Sequence, residues 1–582
     1  MLQTLATAPF VFPLLFGFRL INSALMKTHF EPDEYFQSVE VAMSVILNKK
    51  VYTWEWFFGV RSFVYVCLFM VPLKIFHSSS MYIDRLIRTY SSNGHNDGLV
   101  FMAYAPYLVK AVTACISAIG DYSTIMSYKI LYNVQSGVPT EIIITTLLNI
   151  GLWLYSTRSH INSFESSISI YIFYRLLSSG QCKDKNKKII SHLISVFLSV
   201  FMIYLRPTSI LTISCAWMHS AYQEILSFDK AWRSKEKQVK NVLRYAHVYL
   251  QHSRIISLPN ILSGICALAA CILVDSLFYK EFVCSMVEFY RINMKYKVSH
   301  LFGTLPFMYV FFFLSVLLGG YTGMLVISML SPEYNWRAIQ MICPMVYLIA
   351  HGLIAHKEMR FLLPILPFLN IIIAQELKKL GSSLSDGKAS GKYPQKKKSS
   401  FFSSPGNVSI LKRLVFSKYV FIGNFIIGIL IGLDHQNISR PIDYLRSECY
   451  FRLSRKDAPI FVLNTFTPYM LPLTTHLGHK RVITRSLDNN PNILPMIEAL
   501  QRKKRFQSPE YKLRIEEHDT AKSCMVDNIM LLGPHDYHYI VINSEYTKEF
   551  EEKLPEFVKV HESVHKRIPS YESVAIYKQA FR

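Results

Sequence analysis

His29-Phe30-Glu31-Pro32-Asp33-Glu34-Tyr35-Phe36-Gln37-Ser38 follows directly on Ala8–Met26, an apolar run long enough to cross a bilayer. It is the point at which a membrane chain first re-enters water. Pro32 suits the first position of a helix, where its missing N–H costs nothing. Asp33 and Glu34 then fall in the first turn, where the helix dipole favours acids. Asp33, Gln37 and Glu40 are spaced to share one polar face, while Phe36, Val39, Met43 and Ile46 face elsewhere. The spacing predicts an amphipathic helix lying at the membrane surface. Acids at this position also serve simply as helix-start charges, so the stretch alone leaves both readings open.

Working outward, the whole chain is too apolar for a soluble protein of its size. It has 582 residues, of which 51% are hydrophobic and 18% charged, and its mean hydropathy is +0.22. Runs of near-membrane length are Ala8–Met26, Val100–Gly120, Thr140–Ser156, Ile189–Leu205, Pro207–Ile225, Ile255–Phe278, Phe307–Leu330, Ile339–Ala355, Phe361–Gln375 and Leu414–Leu433. Phe63–Phe76 and Ser166–Leu177 are weaker candidates. An α-helical polytopic membrane protein of about 10–13 transmembrane segments is expected. Ala8–Met26 contains Arg19 and lacks a small-residue cleavage pattern, so it reads as a retained span.

The net charge of +23 would suit a nucleic-acid partner, but its distribution argues against one. The basic residues gather in connections between spans: Lys183–Lys188, Lys230–Arg244 and the Ser/Gly-rich stretch Lys378–Arg413. Basic loops mark the cytosolic side. With Lys378–Arg413 cytosolic and disordered, the loop His351–Arg360 falls on the opposite face. Leu414–Leu433 returns to that face, and a cytosolic N-terminus places His29–Trp56 there too. Three polar regions are therefore expected to converge on one face. The cysteines give no metal-binding spacing. Most sit in apolar runs, and Cys449 and Cys524, in the C-terminal part, are read equally as a pair or as two thiols.

Beyond the opening acids, Thr53-Trp54-Glu55-Trp56 precedes Arg61-Ser62. Tryptophans flanking a carboxylate suit a stacked sugar, and equally an interfacial aromatic belt. Asp121 closes the Val100–Gly120 run, as an interfacial charge or a site residue. Arg158, Asn162 and Glu165 share a face if that segment is helical. Arg206-Pro207-Thr208 separates two apolar runs. His356-Lys357-Glu358-Met359-Arg360-Phe361 sets three potential cations at the start of a span. Such cations hold a lipid phosphate through charge-assisted hydrogen bonds, or merely snorkel.

Taken together, Pro32–Ser38 with Glu40, Thr53–Trp56, Arg61-Ser62, Thr157-Arg158 with Asn162 and Glu165, Arg206-Pro207-Thr208, and His356–Phe361 resemble, in order and spacing, the dolichyl-phosphate-mannose-dependent mannosyltransferases of the endoplasmic reticulum. These are membrane enzymes of GT-C type. The likeness covers about residues 15–375, and six separate motifs agree. Within that family, Trp-Glu-Trp favours the branch adding the third mannose of the glycosylphosphatidylinositol (GPI) anchor over the branch adding the fourth. One departure stands out. The family's Tyr-Gly-x-His-Pro-Trp segment is replaced here by Phe302-Gly303-Thr304-Leu305-Pro306-Phe307, so this loop is not counted among the expected site residues.

The resemblance implies a β-linked lipid-phosphate donor, dolichyl-phosphate mannose, and an α-1,2 product on a GPI precursor glycolipid at the lumenal face of the membrane. Inversion by single displacement requires neither metal nor other cofactor. The residues agree: no Asp-x-Asp pair of the kind nucleotide-sugar transferases use occurs in the chain. A lipid-phosphate donor instead needs a carboxylate base and cations for the leaving phosphate. Asp33, with Glu34 as its rival, is the expected base. His356, Lys357, Arg360, Arg158 and Arg206 are the expected phosphate ligands. Gln37, Glu40, Trp54, Glu55, Trp56 and Asp121 are the expected acceptor contacts. Asp33 is preferred to Glu34 because it shares a face with Gln37 and Glu40.

From about Asp434 the texture changes. Pro459–Leu463, Tyr537–Asn543 and Ser573–Tyr577 read as short strands and Tyr546–Lys553 as a charged helix, a small lumenal α/β domain. Glu517-His518-Asp519 reads as a polar turn. The sequons at Asn437 and Asn407 fall on opposite sides of Leu414–Leu433, so Asn437 is expected to carry sugar and Asn407 to stay bare. Two other classes stay in view. One is a sister mannosyltransferase, acting on the fourth GPI mannose or on N-glycan precursors, since acceptor choice is not readable from the residues. A transporter would show internal repeats, and none is visible.

Overall fold

The computed structural model describes residues 8–27, 33–49, 53–90, 98–135, 137–235, 257–295, 299–300, 303–329, 338–389, 418–434, 439–454, 460–464, 477, 482–486, 539–543, 547–563 and 574–579. His29–Pro32, the asparagines of both sequons, Cys524 and Glu517-His518-Asp519 lie outside them.

In chain order, α1 (Ala8–Leu25) precedes three short helices, α2 (Asp33–Phe36), α3 (Val39–Ile46) and α4 (Trp54–Phe57). Two long helices follow, α5 (Phe63–Tyr90) and α6 (Leu99–Leu131). Then come α7 (Thr140–Leu147), α8 (Ile150–Tyr155), α9 (Ile161–Gln181), α10 (Lys185–Leu205) and α11 (Ile210–Lys235). Next are α12 (Leu258–Tyr279), α13 (Ser285–Tyr290), α14 (Tyr309–Leu318), α15 (Tyr321–Met329) and α16 (Ile339–Leu353). A 3-10 turn, Met359–Ile365, leads into α17 (Leu366–Ala389), and α18 (Lys418–Asp434) and α19 (Ser439–Ser454) follow. The C-terminal part holds β1 (Ile460–Asn464), β2 (Val482–Ser486), β3 (Tyr539–Asn543), α20 (Thr547–Lys553), β4 (Phe557–Ser563) and β5 (Val574–Gln579).

Among the described residues, five segments are long and apolar enough to cross a membrane: Phe63–Ile87, Leu99–Leu131, Lys185–Leu205, Leu258–Tyr279 and Met359–Lys379. Four shorter apolar helices accompany them among the described residues. The weak candidate Phe63–Phe76 thus proves to be half of a full span. Met359–Lys379 is buried over most of its length, whereas Leu258–Tyr279 is largely uncovered. Leu258, Ile261, Ile265, Leu273 and Leu277 on the latter are exposed, an apolar stripe that suits lipid. Prolines 13, 72, 106 and 344 lie inside helices, as membrane-embedded helices tolerate.

Two compact units are formed. One comprises Met1–Ser23, Thr113–Glu288 and Thr304–Leu430, the other Ala24–Val112, Phe289–Gly303 and Ile431–Arg582. In the first unit α9 packs against α10, α11 and the 3-10 turn, and α17 against α7 and α16. Most of α9 is buried, Ser163, Ser166, Ser167 and Ser169 included. Gly120 is what allows α6 to approach it so closely, since a Cβ there would stand 2.8 Å from Ser167 Oγ. Side-chain caps fix two helix starts: Asn149 accepts from Leu152 N at 3.0 Å, and Asp184 from Asn186 N at 2.9 Å.

In the second unit α2 and α5 pack on α3. The buried Asp84 of α5 accepts from Gly98 N at 2.7 Å and Val100 N at 3.4 Å, capping α6 from outside. The five strands form one sheet in the order β2-β1-β3-β5-β4. The first three pair in parallel, β5 is antiparallel to its neighbours, and the β4–β5 register shifts between Lys559 and His561. Val462, Tyr539 and Ile576 from the sheet share a core with Leu99 and Met102 of α6 and Ile442, Leu445 and Cys449 of α19. The small α/β part is therefore seated on the start of a membrane helix. Arg446 strengthens the seat, donating to Met102 O at 3.0 Å and also to Ala103 O.

Strands β2 and β4 escape a sequence reading because both are edges. Val482-Ile483-Thr484-Arg485-Ser486 and Phe557–Ser563 are half polar, as edge strands are. The expected amphipathic surface helix over Asp33–Ile46 is not formed. Instead Ser38 breaks it, its N–H donating to Tyr35 O at 3.0 Å and its hydroxyl to Glu34 O at 3.1 Å. Nor does the second half lie on a surface: Val39–Ser44 and Ile46 are all buried.

Candidate functional site

Two clusters hold most of the expected site residues, one in each unit. In the second unit α2, α3 and α4 bring the opening acids and the Trp-Glu-Trp element together. Asp33 is half-buried at the start of α2, whereas Glu34 is only 6% exposed. Gln37 lies in the α2–α3 turn and donates Nε2–H to Glu55 Oε2 at 3.0 Å. Glu55 Oε1 accepts from both Nε and Nη2 of Arg61, at 2.9 and 2.5 Å. Trp56 is buried, its indole N–H donating to Phe36 O at 3.0 Å. It is an anchor for α2 and not an open stacking platform. The Trp54 side chain lies outside the described residues. Glu40 is 1% exposed, with Lys49 near enough to feel its charge. Burial pulls the Lys49 ammonium down to about 8, against the upward pull of Glu40.

In the first unit Arg206 ends α10 in extended backbone, immediately before the turn at Pro207. Its Nε stands 2.7 Å from Glu165 Oε2, and its guanidinium lies over the Phe361 ring at 5.0 Å. Arg360 approaches the same ring at 5.8 Å. Arg360 Nε pairs with Glu358 Oε2, and His356 Nε2 meets Glu358 Oε1 at 2.8 Å. Burial alone would push the Glu358 carboxyl up; Arg360 and His356 outweigh it and hold the group at about 2. Lys357 Nζ donates to Leu305 O at 2.7 Å and to Ile354 O. Leu305 N in turn donates to Ala355 O at 3.0 Å. The divergent segment therefore reaches the cation cluster through its backbone.

Arg158 does not share a helical face with Asn162 and Glu165, because α9 begins only at Ile161. It is 3% exposed, and its Nε donates to Leu154 O at 2.6 Å. Asp121 does not close its run either; it sits within α6, which continues to Leu131. Both its carboxylate oxygens are taken by Arg19, at 2.6 and 2.8 Å.

Two further residues of the cation cluster, Tyr347 and His351, are not among the expected site residues. Tyr347 donates its hydroxyl to Phe361 O at 2.8 Å. His351 stacks on Tyr347 with ring centroids 4.0 Å apart, and its Nδ1 lies 3.1 Å from Tyr347 O. Nδ1–H donating there leaves Nε2 as the lone-pair nitrogen. Among the described residues Nε2 has no hydrogen-bond partner. From sequence His351 falls where the apolar run Ile339–Ala355 overlaps the expected loop His351–Arg360, and no local spacing marks it as a partner of Tyr347.

The second unit thus holds a half-buried carboxylate at Asp33, and the first, by itself, holds Arg206 and Arg360 about the Phe361 ring. The chain belongs to the Alg9-like mannosyltransferase family, whose model matches residues 10–468. It is 25% identical over 371 residues to a GPI mannosyltransferase 3 of Yarrowia lipolytica, covering 63% of this chain and 62% of that one. To a GPI alpha-1,2-mannosyltransferase 3 of Homo sapiens it is 23% identical over 466 residues, 79% of this chain and 69% of that one. The chain spans under two thirds of the length of the Yarrowia relative. Among solved structures it resembles ArnT from Cupriavidus metallidurans bound to undecaprenyl phosphate, with a TM-score of 0.51 at 12% identity over 97% of each chain. That likeness places the fold in the GT-C class.

Proposed function

We propose that the chain transfers mannose from dolichyl-phosphate mannose to the 2-hydroxyl of the second mannose of a GPI anchor precursor, at the lumenal face of the endoplasmic reticulum membrane. The observation that carries the reading is the family match across residues 10–468, with GPI mannosyltransferases among the relatives. Asp33 takes the proton of the acceptor hydroxyl. The freed oxygen attacks the anomeric carbon of the donor, the carbon–phosphate-oxygen bond breaks, and dolichyl phosphate leaves. A β-linked donor gives an α product by this single inversion, and the step requires no metal. Arg360, Arg206 and His356 neutralise charge on the departing phosphate. The greater exposure of Asp33 supports it as the base over Glu34. Adjacent helical positions point about 100° apart, so only one of the two faces the acceptor.

The test is rescue of cells lacking this activity. Asp33→Asn keeps shape but removes the base, so it is expected to abolish surface GPI-anchored proteins at normal expression. Glu34→Gln is expected to retain them. Full rescue by Asp33→Asn sinks the assignment, and the glycolipid that accumulates identifies the acceptor, separating the third-mannose reading from a sister enzyme.

A further inference from the structure

Gln37 differs from the other polar residues around α2 in having one end fixed and the other end unspent. A glutamine amide carries a donor end and an acceptor end, and a carboxylate can only accept. Its Nε2 faces Glu55 Oε2 at 3.0 Å, so the amide cannot be turned over without setting two acceptors against each other. Among the described residues Oε1 has no hydrogen-bond partner. Glu55 is held in its turn. Oε1 accepts two N–H groups from Arg61, at 2.9 and 2.5 Å, a planar fork that a lysine cannot reproduce. Neither α2 nor α4 exceeds four residues, so neither helix is stable without such cross-links. The side chains of Arg61 and Glu55 are 18% and 12% exposed, which shields the pair from water.

We propose that Arg61 and Glu55 are positioning residues acting through Gln37, fixing its amide so that Oε1 accepts a hydrogen bond from a hydroxyl of the acceptor sugar. This rests on the mannosyltransferase reading for the identity of the sugar. It takes Glu55 out of the set of acceptor contacts and gives Arg61 a role. The order of action is Arg61 to Glu55 to Gln37 to hydroxyl, and each link depends on the one before.

The experiment uses the full chain in lipid nanodiscs. Binding of a GPI precursor glycolipid ending in two mannoses is measured without donor, and transfer from dolichyl-phosphate mannose is measured separately. Arg61→Lys, Glu55→Gln and Gln37→Ala are each expected to weaken glycolipid binding about tenfold, the cost of one well-placed hydrogen bond. The KM for donor is expected to stay unchanged. Because the three share one route, Arg61→Lys combined with Gln37→Ala should cost no more than Gln37→Ala alone. Against an acceptor lacking the relevant hydroxyl, the variants and the parent should bind equally. Additive losses, equal damage to donor and acceptor, or glycolipid binding by Arg61→Lys equal to the parent overturn the relay, as does absence of glycolipid binding by the parent. Binding without transfer would instead refute the catalytic reading and leave the relay standing.

Discussion

Removing the charge of Asp121 separates a structural role from a sugar-binding one. Asp121 and Arg19 are 3% and 0% exposed. Arg19 spends Nε and Nη2 on the two carboxylate oxygens, and Nη1 on Asn22 Oδ1 at 3.2 Å and Leu152 O at 3.4 Å. Asp121→Asn leaves a buried guanidinium without its counter-ion, and Arg19→Met leaves a buried carboxylate. Either change is expected to cost about 3–5 kcal/mol. Replacing both, Arg19→Met with Asp121→Leu, removes the desolvation of two ions along with their attraction. The double variant should therefore lose less stability than either single one. The assay is denaturant-induced unfolding of the purified protein in mixed micelles, with glycolipid binding measured on the same samples. Single variants that unfold like the parent but bind acceptor weakly would refute the ion-pair reading and restore Asp121 as an acceptor contact.

Three other outcomes are expected. Arg360→Ala should weaken use of dolichyl-phosphate mannose about ten- to hundredfold, the value of a charged hydrogen bond, with Arg360→Lys less damaging; unchanged donor KM in both would remove Arg360 from the phosphate site. The Glu358 carboxyl is depressed to about 2 from 4.5, so its contribution to stability is full above the ordinary value and is lost as pH falls from about 4.5 toward 2. Melting curves across acid pH should accordingly converge for the parent and Glu358→Gln, and parallel curves would contradict the pairing. Lys49 is shifted to about 8 from 10.5, so the unfolded chain binds the extra proton between those values and stability should rise with pH there. Lys49→Met should flatten that rise, and an unaltered slope would show that Lys49 is not its source.

The architecture was legible because membrane helices are written in plain hydropathy. Leu258–Tyr279 and Lys185–Leu205 announce themselves as apolar runs. Phe63–Tyr90 reads short from its sequence because Lys74, His77 and three serines interrupt the apolar run. Those serines return their hydroxyls to carbonyls of the preceding turn, at 3.2, 3.1 and 2.9 Å, and the helix continues. At Ser38 the same habit has the opposite result: it ends α2, and a periodic pattern of apolar residues cannot reveal that.

The site was legible as a set of residue types but not as a set of partnerships. Counting His356, Lys357 and Arg360 as three cations suggested three phosphate ligands. A buried cation is stable only when paired or fully hydrogen-bonded, so burial decides what each one is doing. Lys357 is satisfied by two carbonyls, and two bonds tie its segment to Leu305. Arg360 and His356 share Glu358, a pairing the sequence already hinted at, since the carboxylate lies two residues from each. Arg206 is matched to Glu165, and that pairing depends on how α9 and α10 pack, which no local spacing records. The same reasoning moves Glu55 from the sugar to Arg61. A carboxylate between two tryptophans looks like a binding motif until an arginine six residues on claims it.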